Sequence, residues 1–65
     1  MIELIRVTYK DESIEDIKNV EMYDSGADSM STSFSCECRW IDGKIKKFKY
    51  ITIPRANIKK IEVFS

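Results

Sequence analysis

Histidine is absent from this 65-residue chain, proline occurs once, and glycine and cysteine occur twice each. Each shortage excludes something. Without histidine, the usual general base at neutral pH and a common zinc ligand are both missing. Cys36 and Cys38 alone cannot complete a four-ligand zinc site of the common kinds. They stand two apart in an alternating segment, where a disulfide between them would be strained, so they read as small buried hydrophobes. Gly26 and Gly43 lie too far apart for a phosphate-cradling loop. No stretch approaches the ~20 apolar residues of a membrane span, and Met1–Arg6 has neither the basic start nor the apolar run of a secretion signal. These absences lead us to expect no enzyme, no cofactor, no metal site and no membrane partner.

Net charge is missing only as a total. Residues 1–33 hold three basic side chains against eight acidic ones, and residues 34–65 hold eight basic against three acidic. Such a split allows pairing within the chain, pairing between subunits, or one charged face offered to a partner.

The clearest pattern present is a hairpin, Phe34 to Ile53. Phe34, Cys36, Cys38 and Trp40 alternate with Ser35, Glu37, Arg39 and Ile41, the period of a half-buried strand. Asp42-Gly43 is a strong signal for a two-residue type I′ turn. With those residues at the tip, Trp40 falls opposite Ile45 and Phe34 opposite Ile51. Lys47 and Lys49 then land opposite Cys38 and Cys36, so either the lysines snorkel out or a bulge turns Phe48 inward. Trp40 is expected in the core with Phe34, Cys36, Ile45, Ile51, Ile61, Val63, Val7 and Val20.

Before the hairpin, Ile2–Tyr9 reads as a strand and Lys10–Ser13 as a turn. Ser13–Tyr23 admits two readings, a short helical turn over Ile14–Ile17 or extended chain, and we favour a strand over Asn19–Tyr23 with Val20 and Met22 inward. Asp24–Ser31 is a polar loop whose acidic residues match no EF-hand spacing. After the hairpin, Pro54–Asn57 suits one 3₁₀ turn and Ile58–Phe64 a last strand. The sum is a single all-β domain over residues 1–65, mainly antiparallel, as a small five-stranded barrel with a 3₁₀ turn before its last strand.

Here the chain resembles the SH3-like and Sm-like barrels. The segment ITIPRANIKKIEV, after an opening VTYKDES…IKNVEMY, is similar to short barrel proteins encoded by phages and other mobile elements. That resemblance implies a fold and a setting in the cytoplasm of a bacterial host. It implies no catalytic or ligand-binding residue.

So small a barrel must act through its surface. Lys46, Lys47, Phe48, Lys49, Tyr50 and Arg55 form the candidate partner-binding set, with Lys46, Phe48 and Tyr50 on one outward face. Exposed aromatics flanked by charge are common at protein interfaces. Our leading expectation is a non-catalytic binding protein, an inhibitory or anti-defence protein of phage type that binds a host protein. The alternatives are nucleic-acid binding through the basic half, since a charged aromatic platform also suits single strands, and an oligomer that holds anionic ligands such as nucleotides. A 65-residue chain without disulfide or metal gains most readily from association, so a homodimer or higher homo-oligomer is also expected.

Overall fold

A computed structural model describes residues 2–24 and 32–65. Six antiparallel strands follow one another: β1 (Leu4–Tyr9), β2 (Ile14–Lys18), β3 (Val20–Asp24), β4 (Ser33–Asp42), β5 (Ile45–Pro54) and β6 (Ile58–Phe64). One 3₁₀ turn, Arg55–Asn57, separates β5 from β6, as the proline suggested. The strands form two three-stranded sheets, ordered β2-β1-β6 and β3-β4-β5. The expectation of a five-stranded barrel is therefore corrected to six strands in two sheets that do not close into a barrel. Most of the loop expected at Asp24–Ser31 lies outside the described residues.

The sixth strand comes from the ambiguous run after Ser13. Tyr9 N–H donates to the Ser13 carbonyl at 2.9 Å, Glu12 N–H donates to the Tyr9 carbonyl at 2.9 Å, and Glu12 takes a positive φ of 73°. This tight reversal feeds the chain straight back along β1. Residues Ile14–Lys18 then pair in full register, with Ile17 opposite Ile5 and Glu15 opposite Val7. Pairing with β1 along the whole segment outweighs an unsupported helical turn, so the short helix weighed for Ile14–Ile17 does not form. Asn19, at φ 62°, bends the run before β3, and asparagine is one of the few residues that accept such an angle.

Ile5, Val7, Ile17, Val20, Phe34, Cys36, Cys38 and Ile53 are buried together, with Ile2, Tyr9, Ile51, Ile58 and Ile61 packed partly against them. Val7 lies opposite Ile61 and Ile5 opposite Val63, so β6 presents its apolar face to the same side as β1. Met22, expected inward, is exposed because the register between β3 and β4 shifts between Val20 and Met22.

The hairpin corrects the sequence reading in one further way. Its closing pair is Asp42–Ile45, which places Gly43-Lys44 at the tip. Gly43 has φ +64° and Lys44 is not among the positive-φ residues, the type II′ pattern rather than I′. Moving the tip by one residue moves the register by two, so every side chain keeps its face. Phe34 now meets Ile53 and Cys36 meets Ile51, while Lys49 meets Cys38 and Lys47 meets Trp40. No bulge interrupts β4–β5, so Phe48 stays outward and both lysines are exposed. Trp40 is 36% exposed, Val63 38% and Ile45 60%, so none of the three belongs to the core expected for them.

Three outcomes follow from this packing. Phe34→Ala should cost ~3–5 kcal/mol in urea denaturation, near the whole stability of a core this small, whereas Trp40→Ala should cost about 1–2. Asn19→Gly should leave the denaturation midpoint nearly unchanged, and Asn19→Val should lose about 1–2 kcal/mol because valine resists a left-handed backbone. Burial, reinforced by the neighbouring Cys38 thiol, pushes the Cys36 thiol up to about 11. Iodoacetamide at pH 8 should therefore leave Cys36 unmodified in the native protein and label it quickly in denaturant; rapid native labelling would contradict its placement.

Candidate functional site

Burial stops abruptly along the hairpin. β3 pairs with β4 only as far as Cys38, opposite Val20, after which the Arg39 N–H donates to the Asn19 carbonyl at 3.0 Å. Beyond that point the sheet narrows to two strands. Every residue from Arg39 to Tyr50 is exposed. The free half of β4–β5 is thus a ribbon held at its base by the core and in solvent on both faces.

The outer face carries Ile41 opposite Lys46, Arg39 opposite Phe48, and Glu37 opposite Tyr50, with Met22 of β3 beside Glu37. Four of these are large apolar groups in water: Ile41 at 71%, Met22 at 59%, and Phe48 and Tyr50 at 57% each. The Arg39 guanidinium lies 5.7 Å from the centre of the Phe48 ring and pairs with Glu37 at 3.6 Å. Glu37, Arg39 and Phe48 therefore form a short chain of contacts on the outer face. Next to it, a hollow of about 470 Å³ opens between Glu21 of β3, Arg39 to Ile41 of β4 and Lys46 to Phe48 of β5.

The inner face of the ribbon is different. There Lys47 stands opposite Trp40 and Lys49 opposite Cys38. The lysines are consequently divided between the two faces, with Lys46 alone beside the aromatic row. Among the described residues the ion pairs are Arg6–Asp16, Arg39–Glu37, Lys59–Glu12 and Lys60–Glu62. Lys44, Lys46, Lys47 and Lys49 take part in none of them. The charge split seen in the sequence is thus partly met inside the chain, Lys59 crossing to Glu12 at 2.6 Å, while the positive charge of the ribbon is left over.

Arg55 is not brought to this surface. It begins the 3₁₀ turn after Pro54, which pairs with Ser33 at the opposite end of the hairpin from Gly43. At ~3.3 Å per residue Arg55 lies roughly 23 Å along the strand from Phe48. Its Nε is buried without a hydrogen-bond partner, so Arg55 belongs to the base of the domain. The residues the sequence reading omitted are Met22 and Ile41. Ile41 was legible from the alternation of β4, whereas Met22 turns outward only through the irregularity after Val20.

Elsewhere the surface offers less chemistry. A second hollow, of about 430 Å³, is lined by Tyr9, Lys10, Asp11, Ser13, Ala56 and Asn57. Its one carboxylate is already engaged, because Asp11 accepts from both the N–H and the hydroxyl of Ser13, which holds its carboxyl below the usual range. Tyr9 donates to Glu15, and that bond pushes its phenol up to about 12. Among the described residues no group of three or more cysteines and carboxylates could hold a metal ion, and no helix is long and apolar enough to cross a membrane. Compared with known proteins, the chain matches no family model, no curated protein and no solved structure.

Proposed function

We propose that this chain is a non-catalytic binding protein that holds a partner protein with the free half of its β4–β5 hairpin. The observation that carries this reading is the outer row of Met22, Ile41, Phe48 and Tyr50, four large apolar side chains in solvent on paired strands. An apolar centre with charge at its rim is the usual anatomy of an interface, and the rings of Phe48 and Tyr50 bring large contact area with few rotatable bonds. The bent run through Asn19 and the 3₁₀ turn before β6 support an SH3-like arrangement of the two sheets. Together with the resemblance of Ile51–Val63 to phage-encoded barrels, this favours a host protein as partner and inhibition as the outcome. The unpaired lysines around Phe48 give nucleic-acid binding as the second reading.

One experiment separates the two. The protein is used to capture partners from a nuclease-treated bacterial lysate, and its affinity for single-stranded DNA is measured across salt concentrations. Protein binding predicts a retained protein that is lost from the Phe48→Ala/Tyr50→Ala variant, with a loss of about 2 kcal/mol or more, and weak DNA affinity. Both side chains are solvent-exposed, so the variant should keep the wild-type circular dichroism spectrum. DNA affinity that falls steeply with salt, collapses in Lys46→Glu/Lys47→Glu and ignores the aromatic substitutions would overturn the proposal.

A further inference from the structure

The backbone of β5 carries information that its side chains do not. Its turn closes on Asp42–Ile45, and in a two-residue hairpin the closing pair exchanges ladder hydrogen bonds. Since the pattern alternates, Ile45, Lys47, Lys49, Ile51 and Ile53 turn their N–H and C=O groups toward β4. Lys46, Phe48, Tyr50 and Thr52 turn theirs away. β5 is the last strand of the order β3-β4-β5, so among the described residues no strand receives them. The edge that offers free main-chain groups is thus the edge of the aromatic row.

We infer that this edge takes up an extended acidic segment of a partner protein as an added strand, with carboxylates and apolar residues in a set order. The inference rests on the reading of the hairpin as a protein-binding surface and names what that surface recognises. Charge chooses the occupant. Between Ile45 and Ile53 the strand carries Lys46, Lys47 and Lys49 and no acidic residue, and none of the three lysines is in an ion pair among the described residues. A second copy of β5 paired about Phe48 would set Lys47 against Lys49 twice, and like charges directly opposite are destabilising. An acidic strand meets no such opposition. Side chains of the added strand opposite Lys46, Lys47 and Lys49 should be carboxylates, and those opposite Phe48 and Tyr50 apolar. Read antiparallel to β5, the order is apolar, acidic, apolar, acidic, acidic.

A polynucleotide suits the same place less well. It has no use for a row of alternating peptide donors and acceptors, and phosphates following the rings would meet Glu37, which lies opposite Tyr50. A peptide strand would sit about 5 Å beyond β5, on the side away from β4 and its carboxylate.

The test is fluorescence anisotropy with a labelled nine-residue peptide whose centre is Val-Glu-Val-Glu-Glu. It is compared with a shuffled peptide of the same composition with contiguous glutamates, with two versions N-methylated on alternate amides, and with an oligothymidylate of equal charge. The patterned peptide should bind at least about ten-fold more tightly than the shuffled one, by the sum of paired charges and edge bonds. One N-methylated set should abolish binding and the other should be tolerated, because only alternate amides face β5. Lys47→Glu/Lys49→Glu, at two exposed positions, should lose this peptide and bind its lysine counterpart instead. Amide exchange should slow at Lys46, Phe48, Tyr50 and Thr52 on binding. Equal affinity for the shuffled peptide, or indifference to both N-methylated sets, would overturn the inference, as would tighter binding of the oligonucleotide. Should a lysate protein still depend on Phe48 and Tyr50 in that event, protein binding would stand and only the acidic strand would fall.

Discussion

Asn19 holds a left-handed backbone angle between two strands that belong to different sheets. The rest of the fold depends on that bend. β2 completes the sheet with β1 and β6, and β3 completes the sheet with β4 and β5, although one residue separates them. By turning there, the chain carries Ile17 and Val20 into the same core from two directions. Arg39 fixes the corner from outside, its N–H donating to the Asn19 carbonyl. A straight run would serve one sheet and leave Ile5, Val7 or Phe34 uncovered on the other.

The same bend sets the limit of the core, and through it the position of the exposed ribbon. Since β3 starts at the corner, it covers β4 from Ser35 to Cys38 and no further. β4 and β5 continue past that line, and their last residues gain no third neighbour. A small domain encloses few side chains whatever its topology. Here the enclosed set ends at Cys38, and Trp40, one step beyond, stays partly in water. The ribbon is therefore rooted in the best-packed part of the molecule while its far end pairs with no third strand. That combination holds exposed groups in a fixed geometry, which loop-borne groups of a chain this short would lack.

Much of this was legible in the residues. The alternation of β4, the apolar faces of β1 and β6, and the proline-led turn before Ile58 each rest on a local rule, and local rules determine strand identity well. Asp42-Gly43 indicated the hairpin and missed its register, because glycine suits the first central position of a type II′ turn as readily as the second of a type I′. Face assignments survived that error, since a slip of two preserves parity. What the residues could not express is where β3 stops against β4. Alternation alone points Trp40, Ile45, Val63 and Met22 inward, and alternation says which face a side chain takes but not whether anything covers it. Arg55 joined the candidate set through composition, which ignores distance along the folded strand. Lys46, Phe48 and Tyr50 shared a face in both accounts because the pleat alone decides that.

An uncovered strand edge is a hazard, and charge is the usual means of managing it. β5 is rich in isoleucine and aromatic residues, a composition prone to pair with itself, and Lys46, Lys47 and Lys49 interrupt it as gatekeepers would. Protection against self-pairing accounts for those lysines without any partner. It does not account for Phe48 and Tyr50. Both stand on the outer face at positions more than half exposed, where a lysine or glutamate would protect the edge better and lose little beyond the Arg39–Phe48 contact. Their rings are not filling the core, and Arg39 lies over one of them. Retaining apolar surface at the two positions where charge would be most useful runs against solubility. A surface that must be covered by something else is the arrangement in which that choice has a physical return.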